Sequence, residues 1–380
     1  ESFIMKKISV FIYSMGGGGA ERVVSNLLFE LVRCYEVHLV LMNERIHYEL
    51  PNDVKIHFIE KSAPFESGLK KLIKLPFLGL RYKKLCQSIG IDIHFVWMNR
   101  PCYVAGFARM FGAKGAMIFN ECSTPSVLYK TPNFKSKISK FLLKKLYPKA
   151  DFIMPNSIGN RDDLAINFGI DERKMEVLYN AIDMEKITKL SNDEIAFKKP
   201  FFLSVGRLDS GKNHELLIRA YSKLKNCDKD LVILGEGLLR EHLQNVINEL
   251  NLAQKVHLIG FDNNPYKFMS KCFCFVFVSK FEGFSNALIE ALACGCCVIS
   301  SDHKSGAKEL FGENEWGFLV GVDDEKAIQN AMQRAIDEPG FVELYATRAK
   351  IRAQMFDKIQ ISKQLIKKIE EIYELYKQNS

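Results

Sequence analysis

Short apolar runs recur along this chain, each followed by a polar or glycine-rich turn and then by a longer stretch of helical periodicity. Five of them, at 7–13 (KISVFIY), 37–42, 93–97, 116–120 and 152–155, precede residue 183. Five more follow, at 201–205 (FFLSV), 231–234, 256–259, 273–278 and 298–300. Strands that alternate with helices pair in parallel, because each helix returns the chain to the same end of the sheet. The pattern predicts an α/β protein of two Rossmann-like parallel-sheet domains facing a cleft. A length of 380 residues exceeds what one hydrophobic core ordinarily serves. The expected division is 1–183, 184–357 and a closing helix in 358–380, with the charged, irregular segment 184–199 as linker.

Composition narrows the class. With 47% apolar and 26% charged residues the chain reads as a soluble globular protein. No apolar run approaches the ~18 residues of a membrane-spanning helix, and no secretory signal is visible; residues 1–4, ahead of Met5, are set aside. Six of the 10 cysteines sit in or beside apolar runs, so reduced cytosolic thiols are expected, and no metal site. The net charge of +8 is uneven: residues 1–190 carry +9 and residues 191–380 carry −1. Between 68 and 149 it reaches +14, with Asp92 and Glu121 the only acids. Lysines interleaved with Leu, Ile and Phe at 70–84 and 135–149 suit an anionic membrane surface; a solvated helix face is the plainer alternative. Alternating aromatics and arginines are missing, so no nucleic acid partner is expected.

The segment 279–302 (SKFEGFSNALIEALACGCCVISSD) carries most of the chemistry. It reads as strand, acidic turn, helix, strand, with Glu282 and Glu290 on either side of a Gly283-Phe284-Ser285-Asn286 helix mouth. Polar groups at the carboxyl end of a parallel strand are where open α/β sheets bind ligands. Free N–H groups at a helix start favour phosphate, and a nearby carboxylate can accept from vicinal hydroxyls. One turn could thus hold both a phosphate and a sugar.

Two glycine-rich loops need separating from familiar fingerprints. Gly16, Gly17, Gly18 and Gly19 follow the first strand, but the third glycine of the dinucleotide motif is replaced by Glu21 or Arg22. What remains is bare backbone ahead of a helix at about 20–32, suited to phosphate. The run 206–213 (GRLDSGKN) nearly matches a nucleoside-triphosphate P-loop, yet Asn213 stands where a Mg²⁺-binding hydroxyl belongs. Arg207 and Lys212 survive as two cations suited to a diphosphate. Asp228-Lys229-Asp230 imitates a metal-binding DxD but precedes a strand, and reads as solvated.

Together these residues resemble the retaining GT-B glycosyltransferases that carry an E-x7-E motif. The resemblance spans Gly16–Glu21, Asn180, Gly206-Arg207-Leu208 with Lys212, Gly235-Glu236-Gly237, and Glu282 to Glu290. The segments ERVVSNLL, NECSTPSV, LSVGRLDSGKNH and LIGFDNNPYK are similar to a narrower group. These are the bacterial N-acetylgalactosaminyltransferases that extend undecaprenyl-diphosphate-linked glycans for protein N-glycosylation.

That resemblance implies roles. Arg207 and Lys212 would neutralise the UDP diphosphate, Glu290 would hold the ribose hydroxyls, and Glu282 the hydroxyls of the donor sugar. Gly283, Phe284, Ser285 and Asn286 would line sugar and phosphate. Gly235, Glu236, Gly237, Phe261 and Asp262 would border the uracil, and Gly16 to Gly19 would close over the diphosphate from the other domain. The last helix would cross back onto the N-terminal domain. Many relatives carry a histidine where this chain has Cys122, so either Asn120 or Glu121 contacts the sugar or that role is unfilled, the plainer alternative being that Glu121 holds the loop. Asn180 would be a further acceptor or sugar contact.

The reaction implied is retaining transfer of N-acetylgalactosamine from UDP-GalNAc to a polyprenyl-diphosphate-linked glycan, with neither cofactor nor metal. Its setting would be peripheral, at the cytoplasmic face of the inner membrane. A same-fold transferase using another UDP-sugar or a lipopolysaccharide-core acceptor is the first rival; a non-catalytic sugar-nucleotide-binding scaffold is the second.

Overall fold

The structure, a computed structural model, describes residues 5–61 and 67–380. They form two compact units, one of residues 1–181 with 358–380, the other of residues 182–357. The first unit holds β1 (Lys7–Ile12), β2 (Glu36–Leu41), β3 (Lys55–Phe58), β4 (Ile93–Trp97), β5 (Ala116–Glu121) and β6 (Phe152–Pro155). The second holds β7 (Phe201–Val205), β8 (Asp230–Leu234), β9 (Val256–Gly260), β10 (Cys274–Phe277), β11 (Val298–Ser301) and β12 (Phe318–Val320). Every pairing is parallel, in the orders β3-β2-β1-β4-β5-β6 and β12-β11-β10-β7-β8-β9. Both sheets reverse direction between their first and fourth strands, β1/β4 and β7/β10. That switch point leaves a crevice at the carboxyl ends, where the intervening helices go to opposite faces.

Alternation along each strand separates two cores in the first unit. Phe11, Val40, Val96 and Phe119 join one cluster, while Val10, Leu39, Phe95 and Ile118 join the other. The helix Lys358–Asn379 belongs to the second of these clusters, through Ile361, Leu365, Ile369 and Ile372. Spacings of four, four and three put these side chains on one stripe. Each buried aliphatic contributes roughly 1.5–3 kcal/mol, so the stripe anchors the chain's end on this sheet. Tyr376 adds a polar tie, its hydroxyl accepting from the Gly115 N–H at 2.9 Å.

Three local expectations change. Residues 184–199 do not form a linker throughout: Met184–Ser191 is a helix of the second unit, with Asp183 accepting from the Lys186 N–H as its cap. Ile187 is its one buried residue, too little to show as periodicity amid charge. The edge strands β3 and β12 went unread because β3 is largely exposed and β12 spans three residues. Asp230 is not solvated: it opens β8, is buried, and lies 2.8 Å from His257 Nε2. Only Asp228 of that trio is well exposed, and it pairs with Lys229.

Candidate active site

In the second unit the switch point places the loop after β7 beside the loop after β10. The first loop is organised by Asp209, whose Oδ1 accepts from the N–H groups of Gly211 and Lys212 at 3.0 and 3.1 Å. The Lys280 N–H donates to the Gly211 carbonyl at 2.9 Å and joins the two loops. Asn213 ends the turn with φ +59, a left-handed conformation that asparagine tolerates better than a β-branched residue. Its side chain donates to Asp323 at 2.8 Å. The departure from the P-loop pattern therefore has a backbone reason.

Lys212 and Glu282 meet in an ion pair across the two loops, with side chains 19% and 17% exposed. The Lys212 ammonium also lies 5.2 Å over the ring of Phe277, the last residue of β10. Arg207 stands differently: its side chain is 82% exposed, with Nε 3.3 Å from Asp209. One cation is held in a shielded pair and the other stands mostly in solvent beside Asp209.

Gly283 leads into Phe284, which is buried with its ring centroid 5.4 Å from that of Phe356, and Ser285 precedes the helix Asn286–Ala293. Glu290 sits on that helix, 4% exposed, and its Oε1 accepts from the Tyr266 hydroxyl at 3.3 Å. The two glutamates are thus unlike: Glu282 is at the loop with a cation, and Glu290 is within the helix packing.

The Gly235-Glu236-Gly237 segment is bound to the loop after β7. Gly206 N–H donates to Leu234 and Leu208 N–H to Glu236, at 3.0 and 2.9 Å. Gly235 has φ +150, and a Cβ there would collide with the Gly206 carbonyl; one on Gly237 would collide with Leu208. Only glycine permits this approach. The Glu236 carboxylate takes Arg240 at 2.7 Å, Phe261 is 73% exposed, and Asp262 pairs with Lys267 at 2.8 Å.

In the first unit, Gly16, Gly17 and Gly18 form the turn after β1, and the helix begins at Gly19. The Gly16 N–H donates to Ser14 Oγ at 3.3 Å, Gly17 has φ +113, and the Glu21 carboxylate folds back over Gly18. Asn120 and Glu121 end β5 fully buried. Asn120 donates to the Met154 carbonyl and accepts from Cys122 Sγ, at 2.9 and 2.8 Å. Glu121 accepts from Ser123 N and Oγ at 2.9 and 2.7 Å and from the Tyr147 hydroxyl at 2.5 Å. Burial raises its pKa above the ordinary carboxyl value despite those donors. Through Ser123, Glu121 is tied to the start of the loop after β5. Asn180 accepts from Asn156 at 3.3 Å, and Asn156 in turn accepts from Asn160 at 2.7 Å.

One buried residue near Phe277 and the acidic turn has no counterpart among the sequence expectations. His303, two positions past β11, is 1% exposed and edge-on to Phe277 with centroids 6.3 Å apart. Its only signal in the sequence is a lone histidine after a strand. Among the described residues, no group of His, Cys, Asp and Glu is gathered to hold a metal ion, and no helix is long and apolar enough to cross a membrane.

Residues 17–186 match Glycosyltransferase Family 4, and residues 186–354 match Glycosyl transferases group 1. The chain is 55% identical to a Campylobacter jejuni protein, covering 96% of this chain and 99% of that one. The relative is named N-acetylgalactosamine-N,N'-diacetylbacillosaminyl-diphospho-undecaprenol 4-alpha-N-acetylgalactosaminyltransferase. A second C. jejuni protein is a GalNAc-alpha-(1->4)-GalNAc-alpha-(1->3)-diNAcBac-PP-undecaprenol alpha-1,4-N-acetyl-D-galactosaminyltransferase. It is 29% identical, over 97% of this chain and 99% of its own. Among solved structures, a sucrose-phosphate synthase from Thermosynechococcus elongatus aligns with TM-score 0.82 at 19% identity, over 97% of this chain and all of that one. Anabaena Alr3699/HepE in complex with UDP and glucose aligns with TM-score 0.78, also at 19% identity and the same coverage. Two parallel sheets with glycine loops and acidic turns at their carboxyl ends, matched along almost their whole length, make this chain a member of the group 1 glycosyltransferases of the GT-B fold.

Proposed function

We propose that this protein moves N-acetylgalactosamine from UDP-GalNAc, with retention, onto a polyprenyl-diphosphate-linked oligosaccharide. The observation that carries the reading is the Lys212–Glu282 pair at the β7/β10 switch point. It sets a cation for the diphosphate beside a carboxylate for sugar hydroxyls. The choice of sugar and acceptor rests on the full-length relative at 55% identity.

On this reading the second unit binds the donor. Arg207 swings onto the diphosphate, Lys212 turns from Glu282 to it, and the charge of the departing UDP is met by both cations, without a metal. The sugar's C1–O bond to phosphate breaks as the acceptor hydroxyl bonds to C1 on the same face. The acceptor's proton passes to the leaving phosphate oxygen. Glu282 accepts from the donor sugar's hydroxyls, Glu290 takes the ribose with one edge of its carboxylate, and Gly235–Gly237 borders the base.

The first unit would serve the acceptor and the membrane. Its helix Phe134–Leu146 exposes Phe134 and Phe141 among five lysines, and Leu75–Ile89 exposes Phe77 and Leu80 beside Lys83 and Lys84. Aromatic side chains among lysines suit the headgroup region of an anionic bilayer, which supports a peripheral enzyme working near a polyprenyl diphosphate.

The test is incubation with a panel of UDP-sugars and a lipid-linked acceptor, read as UDP release. UDP-GalNAc should give the fastest release. Binding of UDP-sugars without release from any of them would refute the enzyme. Charge reversal of Lys137, Lys140 and Lys144 should weaken flotation with phosphatidylglycerol vesicles, and unchanged flotation would remove the membrane face.

A further inference from the structure

His303 occupies an uneconomical place for a histidine. Among the described residues neither ring nitrogen finds a hydrogen-bond partner, and the side chain is almost fully enclosed. A Ser305 backbone group stands near the ring without closing a bond of ordinary geometry. A buried polar group left unsatisfied is costly, and an apolar side chain of similar shape would avoid that cost. Retaining the imidazole therefore points to a second arrangement in which it has a partner.

The surroundings say which partner. Glu282 from the loop after β10 and Lys212 from the loop after β7 both face the ring, as does Asp302 on its own loop, 4.0 Å from Lys308. Burial holds the imidazole neutral, with Glu282 pulling toward protonation and Lys212 pushing against it. The segment carrying His303 also supports the acidic turn: a Cβ on Gly306, where φ is +91, would sit 3.1 Å from the Gly283 carbonyl and 3.0 Å from Phe284. Lys212 and His303 thus share one aromatic neighbour, Phe277, and Lys212 pairs with Glu282 beside it.

We propose that His303 is a positioning residue that takes over the Glu282 carboxylate when the donor's diphosphate draws Lys212 away. The inference rests on the reading of this site as a UDP-sugar site. In the free protein Lys212 holds Glu282. With donor bound, the ammonium turns to phosphate and an imidazole N–H replaces it on one carboxylate oxygen. The other oxygen stays directed at the sugar hydroxyls. Losing the neighbouring cation favours the protonated ring, so donor binding takes up protons from solution near neutral pH.

Calorimetric titration with UDP-GalNAc in buffers of different ionisation heat reads that uptake directly, since the diphosphate diester has no ionisation near neutrality. Wild-type protein should take up protons on binding, and H303Q should not. The amide of H303Q still donates to Glu282, so its kcat should stay within about 3-fold of wild type. H303F has no donor, and its kcat should fall about 10- to 100-fold with KM changed less than about 3-fold. Equal uptake by wild type and H303Q, or wild-type turnover by H303F, would overturn the proposal. Should H303F not fold, the comparison of wild type with H303Q still decides. If wild type binds no UDP-sugar at all, the donor-site reading fails and this inference with it; binding without His303-dependent uptake overturns only the latter.

Discussion

Replacing Glu282 by glutamine should make UDP bind more tightly while making transfer slower. The Lys212–Glu282 pair is mostly withdrawn from solvent, so a diphosphate must first separate it to claim the ammonium. Two unit charges ~4 Å apart at an effective dielectric of ~20 attract by about 4 kcal/mol. Desolvation of both groups offsets most of that, leaving a net hold of about 1–2 kcal/mol. Removing the carboxylate charge releases this hold and removes repulsion toward the phosphates. UDP affinity should therefore rise about 5- to 30-fold. Transfer should fall by about 100-fold or more, because a glutamine oxygen is a weaker acceptor for the sugar hydroxyls. Isothermal calorimetry with UDP gives the first quantity and UDP release with UDP-GalNAc and acceptor gives the second. Lys212→Met should weaken UDP, and on that background Glu282→Gln should tighten it less than in wild type, leaving only the relief of repulsion; the difference isolates the pair as a double-mutant cycle requires. Unchanged or weaker UDP binding in E282Q would show that the ion pair does not compete with the diphosphate.

Two further outcomes follow from other parts of the site and its scaffold. Gly235→Ala forces a Cβ into the Gly206 carbonyl at φ +150, which should cost about 2–3 kcal/mol and lower Tm by about 5–10 °C; an unchanged Tm would mean the loops after β7 and β8 separate freely. Buried His94 and His214 have pKa values lowered to about 4, chiefly by burial. Both are neutral in the folded state and protonate first when unfolded, so the stability they contribute is intact above pH ~6.5 and lost as pH falls toward ~4, about 3 kcal/mol each. Urea midpoints measured across that range should fall, and His214→Phe should flatten the fall; a pH-independent midpoint would refute it.

How much of this was legible beforehand depends on the range of the interaction concerned. Strand–helix alternation is a local signal, and the strands at 93–97 and 152–155 read correctly for that reason. Glu282, Arg207 and Lys212 stand out in the sequence as charges beside glycine after a strand, and Glu290 by its spacing from Glu282. The helix Met184–Ser191 escaped because it buries a single side chain, Ile187, and its packing partners, the helices Tyr266–Met269 and Asn286–Ala293, are distant in sequence. Asp230 was misread because its partner, His257, is 27 positions away.

The sequence by itself determined two parallel sheets, the glycine loops at their carboxyl ends and the charges beside those loops, since periodicity, turn chemistry and charge are written within a few residues. The tertiary structure alone decided which of those charges meet. Strand order puts β7 against β10 rather than against its successors in the chain beyond β8, and so brings Lys212 to Glu282 across 70 positions. The same order sets β11 beside β10 and lodges His303 under the acidic turn, with its nitrogens sealed from water. In the first unit, packing likewise encloses Glu121 beneath Tyr147. Burial and partner choice are non-local quantities, fixed by packing between strand ends that no local pattern encodes.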